Sequence, residues 1–89
     1  MVIIEYDPQK DLANRQKHGL SLARAKDMDI LAILEDDRNA YGEVRYRAWG
    51  LIDEQPHCLA FTYRDGHLRA ISLRRAHKKE FERYVEANR

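Results

Sequence analysis

The chain has 89 residues and a net charge of +1, with 35% charged and 44% hydrophobic residues. That length allows one small core, burying about 60–65% of the surface the unfolded chain would expose, and excludes a large catalytic domain with its own cofactor fold. The single cysteine, Cys58, excludes an intrachain disulfide framework and points to a reducing compartment, and no apolar run approaches the ~18–20 residues of a membrane span.

Val2 to Tyr6 is short, β-branched and apolar, and predicts a strand. Asp7-Pro8 then combines a good N-cap with the residue favoured at the first helical position. A helix is expected over Gln9 to His18, closed by Gly19, with Leu12 and Ala13 its main apolar contacts. Ser21 caps a second expected helix with an inner face of Leu22, Ala25 and Met28. Ile30, Ala32 and Leu34 alternate, which predicts a strand from Ile30 to Glu35. Asp36 to Gly42 reads as a turn.

Val44 to Ile52 predicts a strand with Tyr46 and Ala48 on one face and Arg45, Arg47 and Trp49 on the other. After a turn over Asp53 to Pro56, strands over His57 to Arg64 and His67 to Arg75 are joined by Asp65-Gly66, a strong type I′ hairpin signal. An unbroken register from that turn puts Arg64 opposite His67, Thr62 opposite Arg69 and Ala60 opposite Ile71. Arg64 and Arg69 then share a face, and Arg74 joins it only if a bulge intervenes. Ala76 to Asn88 predicts a helix packing Phe81, Tyr84 and Val85 inward, with Lys78 and Glu82 paired outside. The order β-α-α-β-β-β-β-α implies one α+β domain over residues 1–89, with helices on one face of an antiparallel sheet.

The chemistry is narrowed by what is missing. His18, His57, His67 and His77 have no close helical ligand spacing, and Cys58 has no partner motif, so neither metal nor cofactor is expected. The four glycines are scattered, so there is no phosphate-cradling loop. Charge is the informative feature. Residues 1–44 carry 6 Lys/Arg and 9 Asp/Glu, whereas residues 45–89 carry 10 and 6. The stretch 64–79 holds Arg64, Arg69, Arg74, Arg75, Lys78 and Lys79 against Asp65 alone. Most of the basic residues are arginine, whose planar fork suits phosphate oxygens. RNA carries its own nucleophile, the 2′-OH. A protein can cleave it with a base, cations for the phosphorane-like transition state, and an acid for the leaving group.

Read in order, the segments Tyr6-Asp7-Pro8-x-Lys10, Asn14-x-x-Lys17-His18-Gly19, Ser21-Leu22-x-x-Ala25 and Asp36-x-Arg38 lead to Gly42-Glu43-x-Arg45, Gly50 and Thr62-x-Arg64. Arg69-x-Ile71-Ser72-x-Arg74-Arg75-Ala76 and Tyr84 complete the series. This combination resembles the BrnT family, the toxin half of a bacterial type II toxin–antitoxin pair. The resemblance implies a RelE-like fold and a metal-independent endoribonuclease that inhibits growth. It also implies a BrnA-like antitoxin with a ribbon-helix-helix DNA-binding region, a 2:2 complex, and operator DNA reached through the antitoxin. The expected location is the cytoplasm, since Met-Val-Ile-Ile before Glu5 is too short for a signal peptide.

Each candidate has a plainer alternative. Arg64, Arg74 and Arg75 are expected to bind the scissile phosphate; otherwise they are a solvated strand end paired with Glu80 or Glu82. Lys17 and His18 supply an acid or base, or only complement a helix dipole. Glu43 and Arg45 orient one another at the site, or form a surface ion pair. Arg69, Ser72, Lys78 and Lys79 are expected RNA contacts. Trp49, Tyr46 and Tyr63 stack on bases or belong to the core, as strand aromatics usually do. His57, His67 and His77 are expected at the surface. The competing functions are a nucleic-acid-binding module without catalysis and a domain that only holds a protein partner.

Overall fold

A computed structural model describes residues 3–88. The elements are β1 (Ile4–Glu5), α1 (Pro8–His18), a 3-10 helix (Leu22–Asp27), β2 (Asp29–Asp36), β3 (Arg45–Ile52), β4 (Gln55–Arg64), β5 (His67–Arg75) and α2 (Lys78–Ala87). They form a five-stranded sheet in the order β1-β5-β4-β3-β2. Neighbours are antiparallel except β1 and β5, which run parallel, so the sheet is mixed. Of the expected first strand, Ile4 and Glu5 pair, while Val2 lies outside the described residues.

The caps work as their residue types require. The Asp7 side chain accepts from the Gln9 amide, Pro8 opens α1, and Gly19 ends it at φ 71°. Ser21 caps the next segment, but that segment is a short 3-10 helix and Met28 follows its end. What holds α1 differs from expectation. Leu12 is 52% exposed, and the buried residue of the helix is Asn14. Its amide donates to the carbonyls of Leu20 and Leu73 at 2.9 and 2.8 Å and accepts from the Leu73 amide at 3.0 Å. The edge of β5 beyond the short β1 is therefore closed by a side chain that mimics a strand. This satisfies backbone groups that burial would otherwise leave unpaired.

The helices lie on both faces of the sheet, not one. Leu22 and Ala25 pack with Ala48, Leu59, Phe61 and Leu73 on the α1 side. On the other side α2 sets Val85, Phe81 and Tyr84 against Ala32, Trp49 and Cys58. Alternation explains this, because Ala48 and Trp49 are adjacent on β3 and face opposite ways. Trp49 is fully buried and stacks on Tyr84, with centroids 4.0 Å apart and planes 11° apart. Truncating a buried ring of this kind costs about 3–5 kcal/mol.

Two backbone details position the functional face. Asp65 and Gly66 adopt φ 54° and 81°, as a type I′ turn requires, and Arg64 pairs with His67 and Thr62 with Arg69. A bulge then shifts the register, so Ala60 opposes Ser72 rather than Ile71, and Cys58 opposes Arg74. The extra residue keeps Leu73 in the α1-side core and turns Arg74 to the face of Arg64 and Arg69. On the far side, Gly50 admits β2 closely: an added Cβ would meet the Asp29 carbonyl oxygen at 2.1 Å.

Candidate active site

The α2 face of the sheet is only half covered. Trp49 and Cys58 lie under α2, while Arg45, Arg47, Thr62, Arg64, Arg69 and Arg74 come from strand positions on the same face. Two basic clefts open along it.

The first cleft, of about 740 Å³, lies where α1, β5 and α2 end or begin. Lys17 and His18 from the last turn of α1 meet Arg74 and Arg75 from the end of β5, with His77, Glu80, Arg83 and Tyr84 from the α2 side. The Asn14 clamp on Leu73 fixes this meeting, because it ties α1 to β5 three residues before Lys17 and one before Arg74. Arg74 is held by Glu80 in a two-bond fork of 3.0 and 2.7 Å, and this hydrogen bonding holds the Glu80 carboxyl below its ordinary range. Burial, then the charges of Lys17 and Arg74, push the His18 imidazole below its usual pKa of 6.5. His18 is therefore neutral near neutral pH and able to take a proton. Arg75 is exposed and donates to the Gln55 side chain at 2.7 Å.

The second cleft, of about 280 Å³, is formed by Lys10, Glu43, Arg45, Thr62, Arg64 and Arg69, with Asp7 and Ile71 beside them. Glu43 bridges two arginines, Arg45 Nε at 3.0 Å and Arg64 at 3.5 Å. The Arg45 hydrogen bond, with Arg64 nearby, lowers the Glu43 pKa, which makes it a poor base and a good orienter of guanidinium groups. Arg69 lies 3.6 Å from Glu5. Thr62 donates to the Val44 carbonyl, which pins the approach to β3.

The residues singled out in the sequence thus form two groups. Lys17, His18, Arg74 and Arg75 come together in the first cleft; Glu43, Arg45, Arg64 and Arg69 come together in the second. Lys78 lies outside both, near Gln55 and Phe81, and Lys79 is exposed in the first turn of α2. Ser72 sits at the bulge and lines neither cleft. Trp49 belongs to the core, and Tyr63 projects from the opposite face, where it meets the Tyr46 and Phe61 rings edge-on. His57 is buried rather than at the surface, with Nδ1 2.7 Å from the Gln55 carbonyl. Among the described residues, no three His, Cys, Asp or Glu side chains group as a metal site. Burial pushes the Cys58 thiol up to about 11, so it stays protonated.

Sequence reasoning missed three contributors. Asp36, buried at the end of β2, receives a two-bond fork from Arg38 at 2.8 and 2.9 Å and a hydrogen bond from the Tyr41 hydroxyl at 3.1 Å. Arg38 holds its carboxyl well below the usual range. The Tyr41 ring in turn lies 4.2 Å beneath the Arg45 guanidinium, so this loop braces the second cleft. Arg47 lies against the rings of Trp49 and Tyr84, at 5.0 and 5.3 Å, and its buried Nε has no hydrogen-bond partner among the described residues. Arg83 joins the first cleft from α2. The motif Asp36-x-Arg38 and the alternation of β3 carried the first two signals.

The family model for the ribonuclease toxin BrnT of type II toxin–antitoxin systems matches residues 6–80. The chain belongs to this family. The matched span contains both clefts except for Arg83 and Tyr84. The fold agrees with the 1.1 Å crystal structure of the Brucella abortus ribonuclease toxin BrnT, at a TM-score of 0.66 and 24% identity. That alignment covers 88% of this chain and all of the Brucella chain. No curated protein matches the chain in sequence. Among the described residues, no helix is long and apolar enough to cross a membrane.

Proposed function

We propose that this BrnT-family chain, acting as a single RelE-like toxin domain in the cytoplasm, is a metal-independent endoribonuclease. It would cleave RNA through the 2′-OH and so arrest growth. The observation that carries this reading is the meeting of Lys17 and His18 with Arg74 and Arg75 in the first cleft. Neutral His18 takes the 2′-OH proton. The 2′-oxygen forms a bond to phosphorus, and the bond from phosphorus to the 5′-oxygen breaks. The Lys17 ammonium gives its proton to that departing oxygen. Arg74 and Arg75 neutralise the charge that grows on the non-bridging oxygens. The products are a 2′,3′-cyclic phosphate and a 5′-hydroxyl, and the protons and electrons balance without a co-reactant.

Arg74 suits its task because Glu80 holds the guanidinium before RNA arrives, so little ordering is left to pay at the transition state. The second cleft holds neighbouring phosphates through Arg45, Arg64 and Arg69, with Glu43 setting the spacing of the first two. Lys78 and Lys79 add charge on the α2 side, and the Ser72 hydroxyl is a donor between the clefts. The partner is a BrnA-like antitoxin with a ribbon-helix-helix region, in a 2:2 complex that reaches operator DNA. The family membership supports that partner.

Inducing the wild-type gene beside His18→Gln and Arg74→Ala tests the reading in cells. Growth arrest is expected with the wild type only, with all three proteins folded and equally abundant. Arrest of equal depth by both variants would overturn the assignment. Wild-type protein that retains RNA without cutting it would favour a binding module instead.

A further inference from the structure

The two basic clefts lie on one path across the part of the sheet face that α2 leaves open. α1 and β5 run side by side, and each supplies a cation to both clefts: Lys10 and Arg69 to the second, Lys17 and Arg74 to the first. Neither lysine forms an ion pair among the described residues. The seven-residue step from Lys10 to Lys17 spans about 10 Å of helix. The step from Arg69 to Arg74 spans about 13 Å of strand, since the bulge takes up one of its five residues. Between the clefts this face presents small side chains, Ser72 on β5 and Ala60 opposite it on β4, both half-buried, with Arg47 opposite Ala60 on β3. Beyond Arg74 the same face is closed by α2, which covers Cys58 and Trp49.

We infer that one RNA strand occupies both clefts at once, with the scissile phosphate in the first and the second phosphate along held in the second by Lys10, Arg64 and Arg69. The phosphate between them lies over Ala60, between Arg47 and Ser72. The inference rests on the proposed cleavage reading only for which phosphate is scissile. The spacing follows from chain geometry. A polynucleotide repeats six backbone bonds per phosphate, against three per residue in a protein, so its phosphates stand about 6–7 Å apart at full extension. Two such intervals match the separation of the clefts; one falls short and three overshoot. The charges fit the same occupant. In the second cleft the Asp7 carboxylate is engaged in capping α1 and Glu43 in holding Arg45 and Arg64, which leaves Lys10 and the guanidinium forks to meet phosphate oxygens. The small side chains of Ala60 and Ser72 leave room for the backbone to cross. Because α2 walls off the face beyond Arg74, the strand is held in this way on one side of the cleavage point.

The test titrates the full-length protein with 2′-O-methyl RNA strands, which have no free 2′-OH to react and so report binding alone. Strands carrying one to five phosphates are compared in wild type, Arg64→Ala and Lys10→Gln. Arg64 and Lys10 are both exposed, so neither change removes core packing. In wild type, affinity is expected to step up about tenfold when the third phosphate is added, as one strand comes to engage both clefts. In both variants the step should fall to about threefold or less. An affinity that climbs evenly with each phosphate in wild type, or a step that both variants keep, would overturn the inference. A DNA strand with a single ribonucleotide then fixes the cleavage position. Replacing the second phosphate along, on one side, with a neutral methylphosphonate should lower kcat/KM about tenfold in wild type and leave it unchanged in Arg64→Ala. A loss confined to the adjacent phosphate would contradict the spacing. The binding step is read whether or not RNA is cut: a step without cleavage of unmodified RNA would remove the cleavage reading alone, and cleavage without a step would remove this inference alone.

Discussion

Arg74 and Glu80 join the end of β5 to the first turn of α2 through parallel hydrogen bonds of 3.0 and 2.7 Å. The pair is half-buried, and it aims a guanidinium into a cleft that also holds Lys17, His18 and Arg75. Glu80 therefore acts through Arg74. In Glu80→Gln, RNA binding is expected to hold or strengthen, because a negative charge leaves the cleft. Cleavage should fall about 10- to 100-fold as Arg74 loses its fixed direction. Single-turnover kinetics beside a binding titration separate the two; an unchanged rate would remove Glu80 from the site.

His18 sets the pH dependence. Its folded-state pKa is lowered, first by burial and then by Lys17 and Arg74, with Arg75, His77, Glu80 and Arg83 lining the same cleft. A base with a lowered pKa keeps its working, neutral form to lower pH. The acidic limb of kcat/KM is therefore expected to fall with a midpoint below 6.5, the ordinary value for histidine. The same limb should survive in His77→Gln and vanish in His18→Gln. A midpoint above 6.5 would contradict this role.

Arg47 is expected to touch RNA through its terminal nitrogens while its plane stays against Trp49 and Tyr84. Arg47→Gln should weaken RNA binding and reduce the slope of log affinity against log salt by about one. Arg47→Lys should recover the salt slope but not the full affinity, because it keeps the charge and loses the planar stack. An unaltered slope in Arg47→Gln would show that no phosphate meets it.

Asn14 is a test of the scaffold. Replacing it with Ala leaves the Leu73 amide and the Leu20 and Leu73 carbonyls without this partner. The expected loss is about 2 kcal/mol, or a fall in Tm of roughly 8–16 °C for a domain of this size. Activity should fall as well, since α1 carries Lys17 and His18. A wild-type melting temperature would mean that water replaces the amide fully.

Local signals made much of this fold legible. Asp7-Pro8 and Gly19 bound α1, and Asp65-Gly66 sets the first pairs of the β4–β5 hairpin. What failed to show is what depends on distant contacts. The bulge opposite Ala60 has no marker residue, yet it decides which face Arg74 occupies. Asn14 reads as an ordinary polar helix residue until Leu73 arrives beside it. The turn at Asp53 and Glu54 is a two-residue hairpin with φ 51° and 63°, although neither residue is the glycine such turns favour. Helices on both faces follow from Ala48 and Trp49 each serving a separate core, which the period-2 pattern allows but does not announce. The basic stretch 64–79 was legible as charge, while its division between two clefts, and the acids that hold each, depend on tertiary structure.

The most direct measurement is to incubate RNA with purified wild type and with Arg74→Ala in the presence of EDTA, and to sequence and chemically assign the ends. The expected result is cleavage by the wild type that persists in EDTA, leaves 2′,3′-cyclic phosphate and 5′-hydroxyl ends, and drops about 10²- to 10³-fold in Arg74→Ala. Cleavage that EDTA abolishes, or that proceeds at the wild-type rate in Arg74→Ala, would contradict a metal-independent site built on the first cleft.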